Sequence, residues 1–242
     1  MRVLVVGDGH ISKTCPGDDR YAALGKLERR LNADATIFIG DMLTCESMNE
    51  HIKPGSAEYK LLPSYKEEIK LLDDSLKAFK KGANKRKCFR HITYGNHEAW
   101  IFKQESKHPE LKGMLVDALN NTFIQNGVEY SIYGKLFELS NTYFTHVPIY
   151  QGRRLMDVDK IGARFSKSIV WGHSHIFNIS CYAKTGNNGV KVINTGCFLP
   201  ANYVEKYTEH NTIDSWTRGV FVLELNDNGV KNINWIDIME IN

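Results

Sequence analysis

Four short apolar runs in this chain each stop at a small residue and hand over to polar side chains. Val3–Val6 leads into Gly7-Asp8-Gly9-His10, and Ala35–Ile39 leads into Gly40-Asp41. His91–Tyr94 leads into Gly95-Asn96-His97-Glu98, and Ile169–Trp171 leads into Gly172-His173-Ser174-His175. Short β-branched runs bounded in this way read as strands buried on both faces. Between the first two lies Asp19–Leu31, with Ala23, Leu24, Leu27 and Leu31 at helical spacing. A strand–helix–strand unit predicts a parallel pair with a right-handed crossover, hence an α/β fold. In such sheets, sites gather where strands end and loops begin. Four chemically loaded strand ends therefore predict one shared site.

Residues 42–87 interrupt this rhythm. A helical insertion is expected around residues 56–82, its main helix running from about Glu58 to Lys81. Leu62, Tyr65, Ile69, Leu72, Leu76 and Phe79 recur there at three- and four-residue steps. Such a stripe either packs on its own domain or offers a dimerisation or partner-docking face, so the 58–81 helix is the candidate oligomer contact. A further helix is expected over Pro109–Asn120. Strands are expected over Tyr130–Leu139, Thr142–Val147, Phe177–Ala183, Val190–Asn194, Gly219–Leu225 and Val230–Ile238. Asn226-Asp227-Asn228-Gly229 is a hairpin turn between the last two. No repeat or linker divides the chain, so residues 1–242 read as one domain with an insertion at about 46–87.

The five cysteines are odd in number and share no CxxC spacing, which favours reduced thiols in a cytoplasmic protein. The first apolar run is too short for a signal peptide, and nowhere do about 18 apolar residues follow one another. The expectation is a soluble protein with no membrane contact. A net charge of +3 suits an anionic substrate and falls short of a dedicated nucleic-acid binder.

Taken singly, the strand-end residues are weak signals, because Gly-Asp and Asp-x-His are also ordinary turn chemistry. Together they supply two carboxylates, several imidazoles and an amide. Such donors suit Mn, Fe, Zn or Co, whereas the absence of cysteine from the set argues against structural zinc.

The blocks Asp8-x-His10, Gly40-Asp41, Gly95-Asn96-His97-Glu98, the lone His146 and Gly172-His173-Ser174-His175 occur in one order. In that order they resemble the calcineurin-like binuclear metallophosphoesterases, over roughly residues 3–198, with Asn194-Thr195-Gly196 resembling a closing Asn-x-Gly. The resemblance implies a β-sandwich of mixed sheets flanked by helices. It also implies two divalent transition-metal ions, Mn2+ first, with Fe, Zn, Co or Ni as alternatives. Asp8, His10, Asp41 and His175 would hold one ion, and Asp41, Asn96, His146 and His173 the other, with Asp41 bridging. A water activated between the ions would attack phosphorus. His97 would protonate the leaving oxygen or stabilise charge on the phosphate. Glu98 would orient the His97 ring, or act as a helix first-turn residue. The apolar neighbours of His146 would equally suit a buried structural histidine.

The expected reaction is hydrolysis of a phosphomonoester or phosphodiester, a nucleotide or nucleic acid included. A DNA exonuclease or endonuclease of the same family, and a non-catalytic scaffold on the same fold, are the alternatives. Three segments bear on the substrate: the basic cluster Lys77, Lys80, Lys81, Lys85, Arg86 and Lys87, the pair Arg153-Arg154, and Lys13, Arg20 and Tyr21 after the first metal loop. Each of the first two is either a phosphate contact or ordinary surface charge. His51, His91, His108 and His210 match no block and read as structural or surface residues. Two departures stand out. Met42-Leu43-Thr44 follow Gly40-Asp41 where many members carry a second acidic residue, and Cys197 stands where a serine often follows Asn-x-Gly.

Overall fold

The computed structural model describes residues 1–84, 87–183, 189–203 and 216–241. Lys85, Arg86 and His210 lie outside them. The strand β1 (Arg2–Val6) pairs in parallel with β2 (Ala35–Phe38), and β2 pairs in parallel with β3 (Phe89–Thr93). The helix α1 (Asp18–Arg30) makes the first crossover. A short β4 (Glu129–Ser131) extends the parallel set, and β12 (Gly219–Asn226) and β13 (Gly229–Asp237) close the other edge antiparallel. The resulting order is β13-β12-β1-β2-β3-β4. A second sheet has the order β10-β11-β9-β6-β5, built from β5 (Phe137–Leu139), β6 (Thr142–Phe144), β9 (Ser168–Trp171), β10 (Phe177–Tyr182) and β11 (Val190–Thr195).

Burial explains why the first strands are apolar at every position. Val3 and Val5 of β1 and Ile37 of β2 pack against Phe144, Val170 and Ile193 of the second sheet. The alternate residues Leu4, Val6 and Phe38 pack against helical side chains on the outer face. A strand covered on both sides cannot carry the polar half of an alternating pattern.

The long helix of the insertion, α2, spans Tyr65–Ala83 rather than beginning at Glu58. Pro63 disfavours helix for the residue before it. Ser64 then opens the helix through a capping box, accepting from the Glu67 N–H while Glu67 accepts from the Ser64 N–H at 2.7 Å. Tyr59–Leu61 forms only a 3-10 turn. The apolar stripe of α2 is spent inside the chain: Leu72, Leu76 and Phe79 share a core with Tyr21, Leu24 and Leu27 of α1. That use favours packing over docking.

Helix α3 (Asn96–Lys107) follows β3 directly. The next helix, α4, spans Leu115–Gln125 and not Pro109–Asn120. Gly113 at φ +79 breaks the path, and the Glu105 carboxylate accepts the N–H groups of Gly113, Leu115 and Val116 at 2.8–2.9 Å. The expected strand 130–139 is two strands in different sheets, separated at Gly134 (φ +80). A hairpin of β7 (Ile149–Tyr150) and β8 (Arg153–Arg154) and a helix α5 (Val158–Arg164) complete the second half. No described helix is long and apolar enough to cross a membrane.

Candidate metal centre

The strand-end loops converge. Gly9 and His10 both donate their backbone N–H to the Asp41 carbonyl at 2.9 Å, which locks the loop after β1 onto the loop after β2. Gly95 must be glycine: a Cβ there would lie 2.0 Å from Asp41 Oδ1. Gly40 adopts φ +75, and a Cβ on it would meet the Gly95 N–H and the Thr93 carbonyl. The small residues that end the strands therefore let one loop approach another.

Four of the seven candidate ligands occupy the left-handed region themselves: His10 (φ +43), Asp41 (+45), His173 (+73) and His175 (+59). Each such non-glycine conformation costs about 1 kcal/mol, and it survives only where neighbouring contacts impose it. The Asp41 N–H, with those of Met42 and Leu43, donates to the Glu98 carboxylate at 2.8–3.2 Å. The His173 N–H donates to both Asp8 oxygens at 3.1 Å.

Two donor clusters result. Asp8, His10 and His175 form one, and Asp41, His146 and His173 the other, the donor atoms in each lying within 4.8 Å of one another. His10 Nε2 and His175 Nε2 are 3.1 Å apart, with Asp8 Oδ1 3.4 Å from the latter. In the second cluster, His146 Nε2 is 3.1 Å from Asp41 Oδ2, 3.1 Å from Asn96 Oδ1 and 3.3 Å from His173 Nδ1. His146, ambiguous from its neighbours in sequence, is thus central. Its Nδ1 lies 2.6 Å from the Ile39 carbonyl, which only accepts, so Nδ1 carries the proton and Nε2 faces Asp41.

The electrostatics favour a cation. Asp8 and Asp41 are fully or nearly fully buried, and their ion-pair partners among the described residues are all histidines. Burial pushes both carboxyls up, but the His146 charge and the other imidazoles outweigh it and hold them below the usual range. Burial alone would depress His146, yet Asp41 and Asp8 raise it to about 9. Mixed imidazole and carboxylate donors in a field that favours positive charge fit a metal ion in each cluster.

His97 sits beside these clusters without joining either. Its Nε2 is 3.9 Å from Asp41 Oδ2, its ring stacks on Trp100 at 4.1 Å, and its backbone N–H donates to Asp41 Oδ1. The ring is oriented by the Thr44 carbonyl, 2.6 Å from Nδ1. Of the two expected roles of Glu98, the helix first-turn role holds and the contact with the His97 ring does not. Glu98 is buried and accepts from the backbone of Asp41, Met42, Leu43 and Gly95, so it holds a loop and does not touch the imidazole. Consecutive helix residues diverge around the axis, so the neighbour of His97 faces elsewhere.

Two further side chains border the centre, Trp216, which the sequence did not single out, and Arg154, which it did. Trp216 meets the His175 ring edge-on at 4.4 Å. The Arg154 guanidinium lies 5.5 Å from the Tyr133 ring centre, and its charge, behind burial and His146, helps to depress His173. Of the basic cluster, Lys77 pairs with Asp73 at 2.5 Å and Lys80 donates to the Gln125 carbonyl. The calcineurin-like phosphoesterase family profile matches residues 1–193, a span containing every candidate site residue. Among solved structures, the chain is similar to the crystal structure of Pseudomonas putida nuclease MPE, with a TM-score of 0.43 and 14% identity. That alignment covers 90% of this chain and 83% of the other. No curated protein sequence matches.

Proposed function

Because this chain belongs to the calcineurin-like phosphoesterase family, we propose that it is a metal-dependent hydrolase of phosphomonoesters or phosphodiesters. Asp8, His10, Asp41 and His175 would hold one divalent ion, and Asp41, Asn96, His146 and His173 the other. Bound there, two such ions supply Lewis acidity and a water deprotonated near neutral pH. Asp41 is the observation that carries the reading: it belongs to the second donor cluster, with His146 3.1 Å from its Oδ2, and its carbonyl accepts the backbone N–H of His10, a member of the first, at 2.9 Å.

The protein side of the reaction is proton transfer and orientation. As the new P–O bond forms, the bond to the leaving oxygen breaks, and that oxygen needs a proton. The Nδ1–H of His97 is committed to Thr44, so its Nε2, when protonated, is the group facing the reaction. Arg154, whose charge reaches His173, would bind the remaining phosphate oxygens. We take a compact ester as the substrate over a polynucleotide track along the end of α2, because Lys77 and Lys80 there already engage neighbouring groups.

The test is a substrate panel of monoesters, diesters, cyclic nucleotides and DNA, assayed with Mn2+, alongside metal analysis of protein purified without chelator. Up to two ions per chain and turnover of a small ester are expected. Metal-loaded protein inactive on the whole panel defeats the reading in favour of a scaffold. Preferential turnover of DNA defeats the compact-ester choice.

A further inference from the structure

The insertion carries a buried acid with no motif around it. Glu68, on the first turn of α2, is fully buried. Its carboxylate accepts the Glu46 N–H at 2.5 Å and the Ser47 N–H at 3.3 Å, and it also takes the Ser47 hydroxyl. Those N–H groups open the 3-10 turn Glu46–Met48, and the first N–H groups of any helical turn need an outside acceptor. Immediately before that turn, Cys45 sits at φ +53. Immediately before Cys45, Thr44 gives its carbonyl to His97 Nδ1 and its N–H to the Ile11 carbonyl at 3.0 Å.

The loop is therefore gripped at two points. Glu98 on α3 holds residues 41–43, and Glu68 on α2 holds residues 46–47, with Thr44 between them. We infer that Glu68 is a positioning residue for His97, acting through the loop backbone to fix the Thr44 carbonyl that aims the imidazole. The insertion helix thereby belongs to the catalytic apparatus and not only to the core. The inference rests on the reading of His97 as the proton donor.

The experiment compares Glu68→Gln, His97→Ala and the double variant in the Mn2+-loaded enzyme, with p-nitrophenyl phosphate, its diester and the corresponding phenyl esters. His97→Ala is expected to lower kcat by about 10²–10³-fold. Glu68→Gln keeps the side-chain shape and one acceptor, and is expected to lower kcat by about tenfold with KM and metal content unchanged. The loss should be larger for the phenyl esters, whose leaving oxygens need the proton more, and should vanish in the His97→Ala background. The ring N–H proton of His97, held on Thr44, should broaden or shift in the NMR spectrum of Glu68→Gln when both proteins are loaded with diamagnetic Zn2+. Full turnover by Glu68→Gln, or an equal loss in both backgrounds, overturns the inference and leaves the role of His97 intact. Full turnover by His97→Ala overturns both.

Discussion

The loop after β2 (residues 40–47) and the loop after β9 (residues 172–176) carry candidate ligands in the same strained left-handed conformation, yet they are held by different means. The first is gripped by acids that belong to no donor cluster: Glu98 takes three of its N–H groups and Glu68 two more. The second is anchored by Asp8, itself a member of a donor cluster, through the His173 N–H. A weaker tie adds to it, Asn194 Nδ2 donating to Ser174 Oγ at 2.6 Å. One side of the centre is thus organised by the protein alone. On the other side, organisation and cation binding share a carboxylate.

Asp8→Ala should break the second side at both levels. One ion per chain is lost, turnover falls about 10³-fold, and amide exchange in 172–176 accelerates while 41–47 stays protected. Metal analysis and hydrogen exchange check this, and equal loosening of both loops would erase the contrast. Glu98→Ala should do the reverse. Four N–H groups lose their acceptor, and the cost is about 3–5 kcal/mol of stability with the first loop exposed, read as a shift in denaturant midpoint.

The protein-held side also has an acid limit. His91 on β3 is buried, stacked on Phe137 at 3.8 Å and bonded to Ser131, and burial lowers it to about 4. A histidine depressed in the folded state contributes stability that is complete above the unfolded value near 6.5. That contribution is lost as pH falls towards 4, roughly 3 kcal/mol in all. His91→Phe should flatten this arm of the stability profile, measured by denaturation between pH 4 and 7. The smallest effect is expected from chelation at neutral pH. Exchange in 172–176 should rise about tenfold relative to 41–47, because only the second loop shares its anchor with the ions.

Much of the site was legible because each motif residue follows a buried run that can only be a strand, and strand ends of a parallel sheet point to one edge. Asn96 follows the same logic, whereas His146, inside the expected strand Thr142–Val147, rested on the order of the blocks alone. Of the two readings of Glu98, the helix first-turn one holds, since it caps α3 through the Gly95 N–H, while helix geometry turns it away from the His97 ring to the loop backbone. The start of α2 was misjudged because the apolar spacing of Leu62 and Tyr65 continues through Pro63, where the backbone cannot.

The sequence alone determined which donors are present, their order and the strand ends that carry them, because apolar runs and glycines encode strand and turn locally. Tertiary structure decided which carboxylate grips which loop. It also decided that a threonine carbonyl aims His97 and that the stripe of α2 is buried within the chain. The grips on the loops and on His97 run through backbone groups and across 20 or more positions, as with the 22 separating Glu46 from Glu68. Every residue has the same backbone N–H and C=O, so no side-chain pattern can announce them.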